Sequence, residues 1–217
     1  MAQTVMKLPS EVYVQELNPY TFDFQVCDCN KRNVKAKRFF NAGYFAVLAG
    51  GKTIPVGNLA IGGKIITQAK DNPDWINLSK KSLTTIFTTK DGECGITKTD
   101  VLDDDIMLSR HIKSAISGIP IIVGGKYVSM DQIKSEGYFG DELYDTWHGF
   151  LGIRHNKPVY IGMKCGFDSM CWALVALGVY DAVKIDGGGS FILYDEKLLK
   201  ATDGNRRINT AGIFDEV

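Results

Sequence analysis

The sequence predicts a single strand-rich domain of the α/β or α+β class, in which two or three helices pack on mixed sheets. Short apolar runs with alternating or β-branched residues recur along the chain, as strands require. Glycine, proline and asparagine separate these runs, and helical features occur at 103–118 and 168–178. With 217 residues, 45% of them hydrophobic, one core spanning residues 1–217 is expected.

Charge and cysteine content narrow the class of protein. Lys plus Arg and Asp plus Glu both number 25, so no charge bias directs the chain to nucleic acid or to an anionic membrane. The five cysteines are odd in number and scattered, which is typical of reduced thiols, and Cys27-Asp28-Cys29 is too closely spaced for a zinc site. Because no leader-like segment or stretch of 18 apolar residues is seen, we expect a cytoplasmic protein.

The first elements of the chain are predicted strands. Glu11 to Val26 alternates apolar and polar residues, and Asn18-Pro19 divides this stretch into a hairpin. The basic run Lys31 to Arg38 is interpreted as a solvated loop and strand edge rather than an anion patch, since no aromatic residues interleave it. The apolar strand that follows ends near Asn41.

A relaxed match to the phosphate-binding P-loop occurs at Ala46 to Thr53. A P-loop must open a helix, whereas Pro55 and Gly57 follow here, so a β-turn between strands is favoured. Leu59 to Ile66 and Leu83 to Thr89 are further predicted strands.

The middle of the chain carries an acidic run, Asp103 to Asp105, directly before apolar residues at helical spacing up to Ile116. Acidic residues are favoured at a helix start, so a helix ending at Gly118 is predicted in preference to a metal site. Ile119 to Val123 follows as a strand. The polar segment 129–147 could be an insertion over a site or an inert loop.

The last third combines a hairpin, a helix and a glycine turn. His148 to Ile153 and Pro158 to Met163 form the predicted hairpin, and 168–178 reads as a short buried helix. An apolar strand then ends at Asp186, and three glycines and a serine precede the next strand. Glycines let a ligand approach the backbone closely, which is typical of a binding site. Because they lead into a strand, a Rossmann unit is disfavoured.

The order of these pieces resembles the phosphodiester glycosidase family, whose best-known member removes N-acetylglucosamine from a phosphodiester and whose bacterial relatives are often labelled exopolysaccharide proteins. The matching pieces, spread from about Phe39 to Phe214, are Asn41-Ala42-Gly43-Tyr44-Phe45, Gly57-Asn58, Ala115 to Pro120, a strand with Gly152, and Ile185 to Ser190. The resemblance implies a hydrolase that cleaves a glycosyl phosphodiester or nucleotide-sugar linkage, with a phosphorylated sugar or nucleotide as its ligand.

The resemblance also implies a set of site residues. A phosphate monoester leaves with little proton donation, so one of the two carboxylates of an ordinary glycosidase becomes less necessary. Catalysis is assigned to Asp186, with Asp168 as a second carboxylate and with His148, which could also hold phosphate. Sugar and phosphate binding is assigned to Asn41, Gly43, Asn58, Lys164, Gly187, Gly188, Gly189, Ser190 and Arg206. No metal or other cofactor is implied, although Asp186 and a neighbour could hold calcium or magnesium.

Three departures from the family pattern leave alternatives open. His148-Gly149-Phe150 stands where the family commonly has Arg-Thr-Ala, Cys165-Gly166 stands where it has Asp-Gly, and no glutamate occurs between Asn156 and Ile185. The chain could therefore bind and sequester a phosphorylated sugar or nucleotide signal without turnover. It could also be a structural or host-interaction module of a phage or virion, which would form homo-oligomers.

Overall fold

In the computed structural model, residues 8–76, 81–103, 107, 109–138, 144–202 and 206–214 are described. The strands are β1 (Val12–Glu16), β2 (Asp23–Asn30), β3 (Arg38–Ala42), β4 (Phe45–Val47), β5 (Thr53–Pro55), β6 (Leu59–Ile61), β7 (Lys64–Thr67), β8 (Leu83–Thr89), β9 (Cys94–Thr99), β10 (Ile112–Ser117), β11 (Ile119–Val123), β12 (Lys126–Tyr127), β13 (Thr146–Arg154), β14 (Lys157–Cys165), β15 (Asp181–Gly187), β16 (Ile192–Asp195), β17 (Lys197–Ala201) and β18 (Arg207–Ile213). The α-helices among the described residues are α1 (Met130–Ser135) and α2 (Phe167–Ala176).

The strands form one six-stranded, two five-stranded and one two-stranded sheet. The strand orders are β1-β14-β13-β15-β11-β12, β7-β6-β10-β8-β9, β17-β16-β3-β18-β2 and β4-β5. All pairings between the described strands are antiparallel. The predicted α/β or α+β class with mixed sheets is therefore wrong, because the protein is mostly β.

The predicted helix up to Gly118 is the main cause of that error. Residues Ile112–Ser117 are the central strand β10, which pairs with β6 on one side and β8 on the other. All but one of its residues are buried, so both strand faces are covered and no polar–apolar alternation marks the strand, while the spacing of Ile112 and Ile116 also fits a helix. Residues 104–106 and 108, where the helix start was predicted, lie outside the described residues.

Two further predictions near the N-terminus are wrong. The strands β1 and β2 exist, but β1 pairs with β14 and β2 with β18, so they do not form a hairpin. Leu17 and Phe22, on either side of the connecting turn, are each 1% exposed, which anchors the two strands separately in the core. In the basic run, Lys31 is buried rather than solvated.

Local predictions based on turn chemistry are confirmed. The β4–β5 hairpin occupies the P-loop match, and β13 pairs with β14 as a hairpin. Helix α2 is followed by Gly178 at φ +78°, a left-handed conformation that glycine adopts without strain. The strand, glycine turn and strand around Asp186 are β15, a 3₁₀ turn at Gly188–Ser190, and β16.

The largest aromatic cluster lies between the six-stranded sheet and the sheet that contains β3. Phe40 of β3 is fully buried and stacks on Tyr160 of β14, with ring centroids 3.9 Å apart. Its ring also covers Gly212, its partner on β18, where an added Cβ would overlap the ring. This packing determines the position of Asn41, the next residue along β3.

A second core cluster packs α2 against the other face of the six-stranded sheet, with Met170 and Leu174 of the helix buried beside Ile161 and Ile119. None of the described helices is both long and apolar enough to span a membrane.

Replacing Gly212 should destabilise the protein through the Phe40 ring. We expect Gly212→Ala to lower the free energy of unfolding by about 1–3 kcal/mol, the usual cost of overpacking a dense core. In a Phe40→Leu background the added methyl group finds space, so the same substitution should cost less. Gly166→Ala is the control, because an added Cβ there meets no atom within 4 Å. Urea denaturation of the four variants measures this coupling, and equal costs in both backgrounds would contradict it.

Candidate active site

A pocket of about 240 Å³ opens where the end of β15 meets the end of β3 and the start of β18. Its lining combines one carboxylate, two cations, three aromatic rings and a side-chain-free backbone turn. The lining residues are Tyr44, Phe45, Tyr144, Thr146, Lys184, Asp186, Gly187, Gly188, Gly189, Ser190 and Arg206.

Asp186 presents its carboxylate at the end of β15. The preceding Ile185 packs in the aromatic cluster, whereas Asp186 lines the pocket. Its carboxylate accepts a hydrogen bond from the Asn41 amide and another, at 2.6 Å, from the Gly187 N–H. Burial raises the pKa of Asp186, although nearby Lys184, these donors and Arg206 oppose that shift.

Two cations give the pocket a positive potential. The Lys184 ammonium donates a hydrogen bond to the Tyr44 hydroxyl at 2.7 Å, and Lys184 lines the pocket together with Asp186. The Arg206 guanidinium lies 5.9 Å from the centroid of the Phe45 ring. With a single carboxylate among the described lining residues, the site favours an anionic ligand.

Aromatic rings form the side walls of the pocket. Tyr44 and Phe45 follow β3, and Tyr144, which is 61% exposed, stands at the rim. Such rings can stack on the apolar face of a sugar or on a base.

The glycine turn brings the backbone to the pocket surface. Gly188 adopts φ +55°, a left-handed conformation. A Cβ at Gly187 would come within 2.5 Å of the Trp147 carbonyl oxygen, so no larger residue fits there. A Cβ at Gly189 would stand 3.3 Å from the Arg206 guanidinium, so the absence of a side chain leaves room for that group.

Of the residues assigned from the sequence, six line the pocket: Asp186, Gly187, Gly188, Gly189, Ser190 and Arg206. Asn41 supports the site through its hydrogen bond to Asp186. The structure does not bring the others to the pocket surface: these are Gly43, Asn58, Lys164, His148 and Asp168.

His148 is completely buried behind the glycine turn, opposite Gly187 in the β13–β15 pairing. Its Nε2 lies 2.9 Å from the Tyr144 carbonyl oxygen and 3.1 Å from that of Cys165, so Nε2 carries the proton. Burial, and secondly the charge of Lys184, lower the pKa of His148 to about 4. The imidazole is therefore neutral at pH 7 and does not supply a cation.

The remaining assigned residues lie in other parts of the fold, away from the pocket lining. The Asn58 side chain donates to Thr85 Oγ1 and Thr99 O and accepts from Ala69 N–H, so its hydrogen-bonding capacity is used within the core. Gly43 adopts φ +80° against Ile116. Lys164 is exposed on β14, and Asp168 lies in the first turn of α2.

Sequence reasoning missed Lys184, Tyr144 and the rim residue Thr146. For Lys184 a signal existed, because a lysine two residues before Asp186 in an otherwise apolar strand shares its face. Tyr144 and Thr146 carry no comparable signal. Within the described residues, no three His, Cys, Asp or Glu side chains are grouped so that they could hold a metal ion.

The fold is similar to that of two solved structures. The zebrafish N-acetylglucosamine-1-phosphodiester alpha-N-acetylglucosaminidase catalytic domain, auto-inhibited by its pro-peptide, matches with a TM-score of 0.70 at 14% identity, over 100% of this chain and 86% of that one. A hypothetical protein from Synechocystis matches with a TM-score of 0.61 at 10% identity, over 93% of this chain and 58% of that one. At these identities the likeness shows a common fold.

Neither a protein-family model nor a curated protein sequence matches the chain.

The buried imidazole makes stability depend on pH. Below its ordinary pKa of 6.5, His148 takes up a proton in the unfolded chain but not in the folded one until about pH 4, so acid costs stability across this window. We expect the stability advantage of the wild type over His148→Gln to be greatest above pH 6.5 and to shrink by about 3 kcal/mol at pH 4.

Urea denaturation at several pH values measures that difference, with His155→Gln, a turn residue on the surface, as the control. A constant difference between wild type and His148→Gln across pH 4–7 would show that the imidazole is not held neutral.

Proposed function

We propose that the chain is a hydrolase that cleaves the bond between a sugar and a phosphate, in a glycosyl phosphodiester or a nucleotide sugar. The observation that carries this proposal is the convergence of Asp186 with Lys184 and Arg206 on one pocket. In this proposal the carboxylate stabilises positive charge at the anomeric carbon, and the two cations bind the phosphate.

The chemistry needs a single carboxylate. Water adds to the anomeric carbon, the bond from that carbon to the phosphate oxygen breaks, and a phosphate monoester, or a nucleoside diphosphate from a nucleotide sugar, leaves with the bonding electrons. Asp186 stabilises positive charge on the sugar, while Lys184 and Arg206 neutralise charge on the departing phosphate. The water proton passes to a carboxylate or to solvent, and the leaving group needs no acid.

The fold likeness supports the same reaction class. The name of the zebrafish protein describes an enzyme that releases N-acetylglucosamine from a phosphodiester. The pocket volume of about 240 Å³ suits one sugar ring with its phosphate better than a dinucleotide.

Sequestration without turnover is the second candidate function. Two observations favour it: Asp186 is the one carboxylate among the described lining residues, and its pKa is raised by burial. A carboxyl group that stays protonated would bind a phosphorylated ligand without stabilising a cationic transition state.

Turnover by an Asp186 variant separates the two functions. We expect the wild type to release phosphate monoester from at least one substrate in a panel of glycosyl phosphodiesters and nucleotide sugars. Asp186→Asn should lower kcat/KM by about 100-fold or more, because it removes the charge that the transition state requires. Asp168→Asn, the same change outside the pocket, should leave kcat/KM within about twofold.

Product analysis by chromatography and thermal shift are measured in parallel for each compound. A ligand that stabilises the wild type and stays intact would contradict the hydrolase function and support sequestration instead. No stabilising ligand at all, in a stable oligomer, would instead favour the structural module.

A further inference from the structure

Lys31 is a buried ammonium directly behind the glycine turn. The residue is 0% exposed, and its Nζ donates to the carbonyl oxygens of Thr202 at 2.7 Å and Gly189 at 3.0 Å. It also lies 3.2 Å from the Thr202 hydroxyl. A buried ammonium loses its hydration, which is costly unless hydrogen-bond acceptors replace the water. Here the carbonyl oxygens of Gly189 and Thr202 and the Thr202 hydroxyl are those acceptors.

Lys31 holds both sides of the pocket. Its side chain binds the glycine turn, and its backbone N–H donates to the Arg206 carbonyl oxygen at 3.0 Å. Arg206 carries one of the two pocket cations. One residue therefore links the glycine turn to the backbone of Arg206, although it does not itself line the pocket.

The hydrogen bonds on the far side orient the turn. The Thr202 hydroxyl donates to the Gly188 carbonyl oxygen at 2.8 Å, and Lys31 donates to that of Gly189. In a trans peptide the next N–H points away from the carbonyl, so the N–H groups after Gly188 and Gly189 point away from Lys31 and Thr202. Since the turn residues line the pocket and these two do not, that direction is the pocket side.

We propose that Lys31, assisted by Thr202, is a positioning residue that presents the glycine turn to the phosphate group of the ligand. The two side chains engage the carbonyl oxygens from behind, which leaves the positive ends of the peptide dipoles toward the anion. The ammonium adds a fixed positive charge behind the turn, in a medium of low dielectric constant. This inference rests on the proposed function for the identity of the anion as a phosphate.

Phosphate affinity tests this role without requiring catalysis. Inorganic phosphate is titrated by calorimetry into the folded full chain at constant ionic strength, for wild type, Lys31→Met and Thr202→Val. We expect both variants to raise the Kd by about tenfold or more, the usual effect of losing a charge-assisted contact. In serine-labelled protein, phosphate should shift the Ser190 amide resonance of the wild type but not of Lys31→Met, because the Ser190 N–H belongs to the peptide whose carbonyl oxygen Lys31 engages.

Lys113→Met is the matched control. The Lys113 ammonium also donates to backbone carbonyl oxygens, at 2.7 Å from Tyr20 and 2.8 Å from Phe22, and neither of these residues lines the pocket. This variant should lower the Tm while leaving the phosphate Kd within about twofold of the wild type. If Lys31→Met proves too unstable, Thr202→Val gives the same answer, because it removes only a hydroxyl group.

Wild-type affinity in a folded Lys31→Met or Thr202→Val variant would overturn the inference, as would the absence of phosphate binding by the wild type. The proposed function fails separately: a wild type that binds phosphate and turns over no substrate refutes the hydrolase alone. Turnover by the wild type with unaltered phosphate binding in both variants refutes the role of Lys31 alone.

Discussion

The hydrogen bond from Asn41 to Asp186 joins two sheets at the pocket, since Asn41 lies on β3 and Asp186 lies near the end of β15. A carboxylate at this depth needs donors, which Asn41 and the Gly187 N–H supply. Asn41 can do so because the preceding Phe40 is stacked on Tyr160 of the six-stranded sheet. The geometry of the site therefore depends on the packing of Phe40. A shift of Phe40 would move the adjacent Asn41 and with it the hydrogen bond to the Asp186 carboxylate.

Lys184 links the electrostatics of the pocket to those of the layer behind it. Its charge opposes the rise in the pKa of Asp186 and contributes to the low pKa of His148. Burial is the larger cause in both cases, and it moves the two groups in opposite directions because it always penalises the charged form. Because the His148 imidazole is neutral, Lys184 and Arg206 are the cations that face the ligand among the described lining residues.

Sequence reasoning found the parts of the site that are continuous in the chain. Asp186 and the glycine turn are recognisable because a strand, a carboxylate and three glycines succeed one another. Residues that reach the pocket from other elements, such as Tyr144, depend on sheet packing that no local pattern records. Strand direction and the identity of β10 were equally inaccessible, since a strand buried on both faces lacks a period of two. Lys31 was misjudged because a basic run is usually solvated.

The absence of a second carboxylate among the described lining residues constrains what the pocket can do. An ordinary glycoside expels an alcohol and needs a carboxylic acid to protonate it, which this arrangement does not offer. A phosphate monoester is a far better leaving group, and cations replace the acid by stabilising the charge that develops on its oxygens. Lys184 and Arg206 line the same pocket as Asp186, so in the proposed reaction they would stabilise that charge. Under the proposed function, the lack of a second carboxylate disfavours neutral glycosides, whereas Lys184 and Arg206 meet the need of a sugar phosphate for charge stabilisation.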